Sequence, residues 1–243
     1  MTTAGNATFF RSRTGGDTWE VPHSAVVVGG AAWALAAVQF VAAHAAAAYA
    51  WTPAYSWARN HIGDLANTQC GMFSVPNGEP IYVCSPLHAV MNASFVLTGV
   101  LVIVGALLLW KYWPAGWLAD TATVLWIMLG FGKILVGLAP ENTNIGLHLV
   151  GCLNVQLGAL GILLLSMVLF RSDPRLSRVG IVLAAIGLFG TVLGTIGEYA
   201  GTSLYLGLGS GGMQRVATYP SLVWLLVIGV VTAVRGLRNP LRV

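Results

Sequence analysis

Six long apolar stretches divide the chain, at residues 25–50, 87–110, 118–139, 147–170, 179–199 and 219–234. Each supplies the roughly 20 residues a helix needs to cross a hydrocarbon layer about 30 Å thick. The runs are continuously apolar and do not alternate with period two, so they predict helices and not barrel strands. Small residues recur inside them, as at Gly158, Gly161, Gly187, Gly190, Gly194 and Gly197, and such residues let helices approach closely. The pattern predicts an all-α integral membrane protein built as a six-transmembrane-helix bundle. Residues 1–23 are polar and lack a cleavable-signal pattern, so the first apolar run is expected to persist as a helix.

Composition supports this reading. The chain is 56% hydrophobic and only 8% charged, against roughly 25% charged residues in soluble proteins. Its 12 Lys and Arg sit in short clusters between the apolar runs, a layout that offers no continuous basic face for nucleic acid. With the N-terminus inside, Arg11, Arg13, Lys111, Arg171, Arg175, Arg178, Arg235, Arg238 and Arg242 are cytoplasmic. Only Arg59 and Arg215 are then external, and Lys133 is intramembrane. That asymmetry predicts a cell-membrane protein with both termini in the cytoplasm. The domain layout expected is a tail at 1–24, a membrane domain at 25–236 and a tail at 237–243. External loops are expected at 51–86, 140–146 and 200–218, the first being by far the longest.

That first loop contains Cys70 and Cys84. In an oxidising compartment they would close a loop of about 15 residues, worth about 3 kcal/mol; otherwise they are free thiols. No Cys/His spacing of a structural zinc site occurs.

The polar residues of the apolar runs gather toward the outer leaflet. His44 lies near the end of the first run, and His88 and Asn92 share a helix face at i, i+4. Lys133 is roughly 10 Å below the end of the third run, with Glu141 and Asn142 in the following turn. His148 opens the fourth run, with Cys152, Asn154 and Gln156 below it, and Glu198 and Tyr199 close the fifth. A charge near the bilayer centre is tolerated when paired or wet, so Lys133 is expected to face the bundle, with Glu198 or Glu141 as counter-charge. Single residues also have structural explanations. Lys133 can snorkel, His44 suits the interface, the asparagines can bind helix to helix, and Pro140-Glu141-Asn142 can be a simple turn. A weak duplication relates His88-Ala-Val to His148-Leu-Val and the segment ending at Glu141 to the one ending at Glu198.

Two short blocks carry a resemblance: His61-Ile-Gly63-Asp64-Leu with Cys84-Ser-Pro86-Leu-His88 and Asn92, and Gly137-Leu-Ala-Pro140-Glu141 followed by His148. In these the chain resembles the prokaryotic membrane family DUF998, over roughly residues 30–235, and is similar in layout to the six-helix Frag/DRAM/Sfk group. Gly63 stands where that family usually has Ser, and Ala66 where it usually has Gly. The resemblance implies six helices and a shared external polar cluster, and no reaction.

Three functional readings stay open. The first is an outward-facing pocket that binds a lipid headgroup or other amphiphile through Lys133, His88, Asn92, His148, Asn154 and Tyr199. The second is a membrane-embedded enzyme acting on a lipidic substrate, with Asp64, Glu141 and Glu198 as candidate acids or bases. In its metal version His88 and His148 with a carboxylate hold a transition metal, although the sequence requires no cofactor. The third is a structural or accessory subunit. No HExxH, GxSxG, Walker A or GxGxxG context occurs. Polar residues are scarce in the inner halves, which argues against a through-pathway for transport.

Overall fold

The computed structural model describes residues 21–52, 54–74, 80–200 and 202–238. The expected tails therefore lie mostly outside the described residues, as do Arg11, Arg13 and Arg242. Among the described residues six helical segments are long and apolar enough to cross a membrane. The chain is a multi-pass membrane protein. The crossings are α1 (His23–Tyr49), α2 (His88–Leu109), α3 (Trp117–Leu138), α4 (Ile145–Cys152) with α5 (Asn154–Leu169), α6 (Pro174–Ala200) and α7 (Gly209–Arg238).

Consecutive crossings pack side by side and α7 closes against α1, so the helices form a ring in chain order. Six crossings return the chain to the end where it began. His23 Nδ1 there donates to the Gly236 carbonyl at 3.0 Å. The opposite, loop end carries the long segment between α1 and α2.

Lipid tails are as apolar as the side chains, so tight contact between helices holds such a bundle together. The α1–α7 seam depends on paired glycines. A Cβ on Gly30 would lie 2.6 Å from the Gly229 carbonyl oxygen, and a Cβ on Gly229 would lie 2.6 Å from that of Gly30. Backbone cannot yield as a side chain does. Gly229→Val is expected to cost about 1–3 kcal/mol through overpacking, read as a lower thermal midpoint in detergent; an unchanged midpoint would show that the seam gives way freely.

Several boundaries differ from the apolar pattern. α6 starts at Pro174 because Asp173 Oδ1 accepts the Leu176 N–H at 3.1 Å, a side-chain cap with proline at the first helical position. α7 starts at Gly209, well before residue 219, inside the stretch expected as loop. Its first N–H groups are capped by backbone: the Ala58 carbonyl accepts from Gly211 at 2.9 Å and Gly212 at 3.4 Å. The fourth crossing is broken at Leu153, between α4 and α5.

The loop between α1 and α2 is not featureless, so the fold is nearly all-helical, not strictly all-α. It holds a 3-10 turn, Gly63–Ala66, and an antiparallel ribbon of β1 (Gly71–Phe73) with β2 (Ile81–Val83), Gly71 opposite Val83. The Cys70–Cys84 disulfide forms as expected and closes the open end of that ribbon.

Candidate functional site

Residues 54–68 cover the loop end and are anchored to several helices. Ser85 Oγ donates to the Leu65 carbonyl at 2.7 Å, and Asn92 Nδ2, one turn into α2, donates to that of Ala66 at 2.9 Å. The Ile62 N–H donates to Gln214 Oε1 of α7 at 2.7 Å. The Thr68 N–H donates to Asn142 Oδ1 at 3.2 Å, and Asn142 Nδ2 donates back to Thr68 Oγ1 at 3.1 Å.

The strongest anchor is Arg215 of α7, buried at 8% exposure. Its Nη1 donates to the carbonyls of Trp57 at 3.0 Å, Asn60 at 2.9 Å and Gly211 at 2.6 Å, and its Nη2 to the Tyr55 hydroxyl. The guanidinium also lies 4.9 Å from the Trp57 ring centre. Burial pushes the Tyr55 phenol pKa up, against the pull of this cation.

These anchors fix Asp64, which is 1% exposed. Its Oδ2 accepts the His61 N–H at 2.8 Å and Asn60 Nδ2 at 3.2 Å. Opposite stand Glu141, in the turn that Pro140 forces after α3, and His148 in the first turns of α4, each 4% exposed. His148 Nδ1 bonds the Ala139 carbonyl at 3.0 Å. A carbonyl only accepts, so Nδ1 carries the hydrogen, and Nε2 lies toward Glu141, 3.8 Å from Oε2.

Gly63 backs closely onto this pair. A Cβ at that position would stand 2.9 Å from Glu141 Oε2 and 3.1 Å from His148 Nε2. Burial first, then the neighbouring Asp64, hold the Glu141 carboxyl pKa well above the usual range. Two carboxyl groups this close share a proton more readily than they both ionise. Glu141 Oε1 and both polar atoms of the buried Asn67 carboxamide have no hydrogen-bond partner. A neutral acid beside an imidazole lone pair is chemically equipped to move a proton.

Residues 34–231 match the family described as Protein of unknown function (DUF998). The chain belongs to the DUF998 family. No curated protein and no solved structure matches it.

In this DUF998 chain the two motif blocks, at Asp64 and at Glu141 with His148, are the segments that the fold brings together. Lys133 and Asn154 line a cavity together with His148 and Gly63, and His88, Glu198 and Tyr199 stand outside it. Lys133 is buried deeper on α3, its Nζ 4.8 Å from the Phe40 ring centre and 5.3 Å from that of Phe95. Neither expected counter-charge meets it. Glu141 turns to Asp64, and Glu198 is exposed on α6 because its neighbour Gly197 takes the inward position against Tyr205. Tyr199 is also exposed, at 76%. Asn154 Nδ2 donates to the Gly151 carbonyl at 2.7 Å, across the break between α4 and α5.

His88 Nδ1 bonds the Ser85 carbonyl at 2.9 Å, at the start of its own helix. Among the described residues no group of three or more His, Cys, Asp or Glu side chains is arranged to hold a metal. His44 is 2% exposed instead of interfacial, stacked on Trp57 at 5.2 Å and 3.3 Å from the Tyr219 hydroxyl. The duplication does not carry over to the site, since His148 and Glu141 are buried where His88 is half-buried and Glu198 exposed.

Sequence reasoning passed over Asn60, Asn67 and Gln214, and counted Arg215 only as a loop charge. One signal was available for the last. Gln214 and Arg215 open a run, 216–234, with no other charged residue, so the arginine had to be held by the protein itself.

Proposed function

We propose that this protein works as an acid–base site for the polar head of an amphiphile, at the exoplasmic face of the cell membrane. Orientation rests on basic charge. Lys111, Arg171, Arg175, Arg178, Arg235 and Arg238 belong to the end where α1 starts and α7 finishes, against Arg59 and Arg215 at the loop end, and the positive-inside rule assigns the former to the cytoplasm. The observation that carries the reaction is the convergence of Asp64, Glu141 and His148, from three separate segments, into one buried group.

In this reading Glu141 is the general acid, its proton retained by burial and by Asp64. His148 is the general base through Nε2, oriented by the Ala139 carbonyl. Asp64 positions and polarises Glu141. The substrate's reacting polar group would enter between Glu141 and Nε2, which requires the Gly63–Ala66 turn to swing outward. Proton transfer of this kind serves hydrolysis, isomerisation or cyclisation of a lipid head.

The test uses vesicles of total membrane lipid reconstituted with wild-type, Glu141→Gln or His148→Gln protein, with lipid species followed by mass spectrometry. Wild type is expected to convert one species, and each variant to be slower by about 10²–10⁴-fold. Equal rates in all three proteins overturn the reading. No conversion by any of them, with lower thermal stability in the variants, assigns the cluster a structural role.

Binding without turnover is the second reading, favoured by Asn67, a buried carboxamide with neither atom partnered. Its mark would be a co-purified lipid whose composition does not change with time.

A further inference from the structure

Below the Gly63–Ala66 turn lies a cavity of about 30 Å³, and a smaller one of about 10 Å³ shares its wall of Lys133, Asn154, Val155 and Thr218. We propose that this space binds a small monovalent inorganic anion of halide size, with Lys133 as its charge partner. The proposal does not rest on the acid–base reading, although the two adjoin: His148 and Gly63 line the larger cavity, while neither Asp64 nor Glu141 lines either one.

The first argument is charge. Lys133 is 5% exposed, and no carboxylate lies within ion-pair distance of it among the described residues. The ring faces of Phe40 and Phe95 attract the ammonium, but cation–π contact replaces only part of its lost hydration. An anion in the adjoining cavity supplies the rest.

The second argument is the donor set. Gln214 Oε1 is occupied by the Ile62 N–H, which leaves the amide NH₂ of Gln214 for the cavity. The Ser221 hydroxyl is buried and has no partner, and Thr218 brings a second hydroxyl. His148 also lines the larger cavity; its Nε2 lone pair repels an anion, which directs the ion to the Lys133 side.

The third argument is size. One water needs about 10–15 Å³ by this measure, so the space holds an ion and a water. It is too small for a headgroup, whose sites run to hundreds of Å³.

Thermal unfolding of the purified wild-type protein in chloride, bromide or gluconate at matched ionic strength tests this directly. Chloride and bromide are expected to raise Tm saturably, by about 5 °C at a hundredfold excess over Kd, with gluconate inert. Lys133→Met should abolish the rise, and Thr218→Val with Ser221→Ala should shift half-saturation about tenfold upward. If Lys133→Met does not fold, anomalous scattering from bromide-grown crystals decides, with a peak beside Lys133 Nζ expected. Equal Tm in all three salts, a halide response retained by Lys133→Met, or water alone beside Nζ overturns the site.

Discussion

Replacing Arg215 with leucine is expected to destabilise the protein by about 3–5 kcal/mol, because several acceptors lose a charge-assisted hydrogen bond at once. The substitution keeps helix propensity, so the loss traces to what the guanidinium holds. The carbonyls of Trp57, Asn60 and Gly211 all lose a charged donor, as does the Tyr55 hydroxyl. Each buried acceptor left unpaired costs about 1–3 kcal/mol unless water reaches it. Water reaches them most readily if the segment from Tyr55 to Asp64 lifts off. Hydrogen exchange should therefore rise in residues 55–66 well before the helices respond, and the thermal midpoint in detergent should drop. Arg215→Lys is expected to fall in between, because one ammonium cannot reproduce the planar fork that serves several acceptors. If exchange in residues 55–66 and the midpoint both match wild type for Arg215→Leu, the arginine does not anchor the segment.

The same anchor shows what could be read along the chain and what could not. The six crossings were legible because a membrane demands long apolar runs whatever the tertiary detail. The Cys70–Cys84 bridge was legible because both thiols sit in one polar loop. Asp64, Glu141 and His148 were all marked as members of one external polar cluster, but the narrowing of that cluster to these three was not. It depends on the path of the loop, which hydrogen bonds to α2 and α7 fix across long stretches of chain. The start of α7 was hidden for a related reason. Pro220 suits the first turn of a helix, while the true start at Gly209 is capped by the Ala58 carbonyl, far away in sequence. The inferred partners of Lys133 failed because helix rotation decides which side chains face inward. Gly197 occupies the inward position and leaves Glu198 outside. Period and composition predict elements; side-chain partners between distant segments depend on packing that one sequence does not print.

Replacing Glu141 with glutamine is expected to abolish a pH dependence of stability. Burial and the neighbouring Asp64 raise the folded-state pKa of Glu141 well above its unfolded value, which is about 4.3. With the folded protein holding a proton that the unfolded chain releases, the sign is set: stability falls as pH rises. The contribution is complete below the unfolded pKa and is lost as pH climbs from there through the folded value, at about 1.4 kcal/mol per pH unit. Glutamine keeps the size and an N–H donor toward Asp64 but has no proton to lose. The difference between wild-type and Glu141→Gln thermal midpoints, followed from about pH 4 to pH 8, should thus grow in favour of the variant. Asp64→Asn should narrow the pH window of that loss by removing a neighbour that raises the Glu141 pKa. Parallel curves for wild type and Glu141→Gln would mean that Glu141 is already ionised in the fold. Asp64 would then stand beside a second negative charge, and the buried cluster would have no acid with which to work.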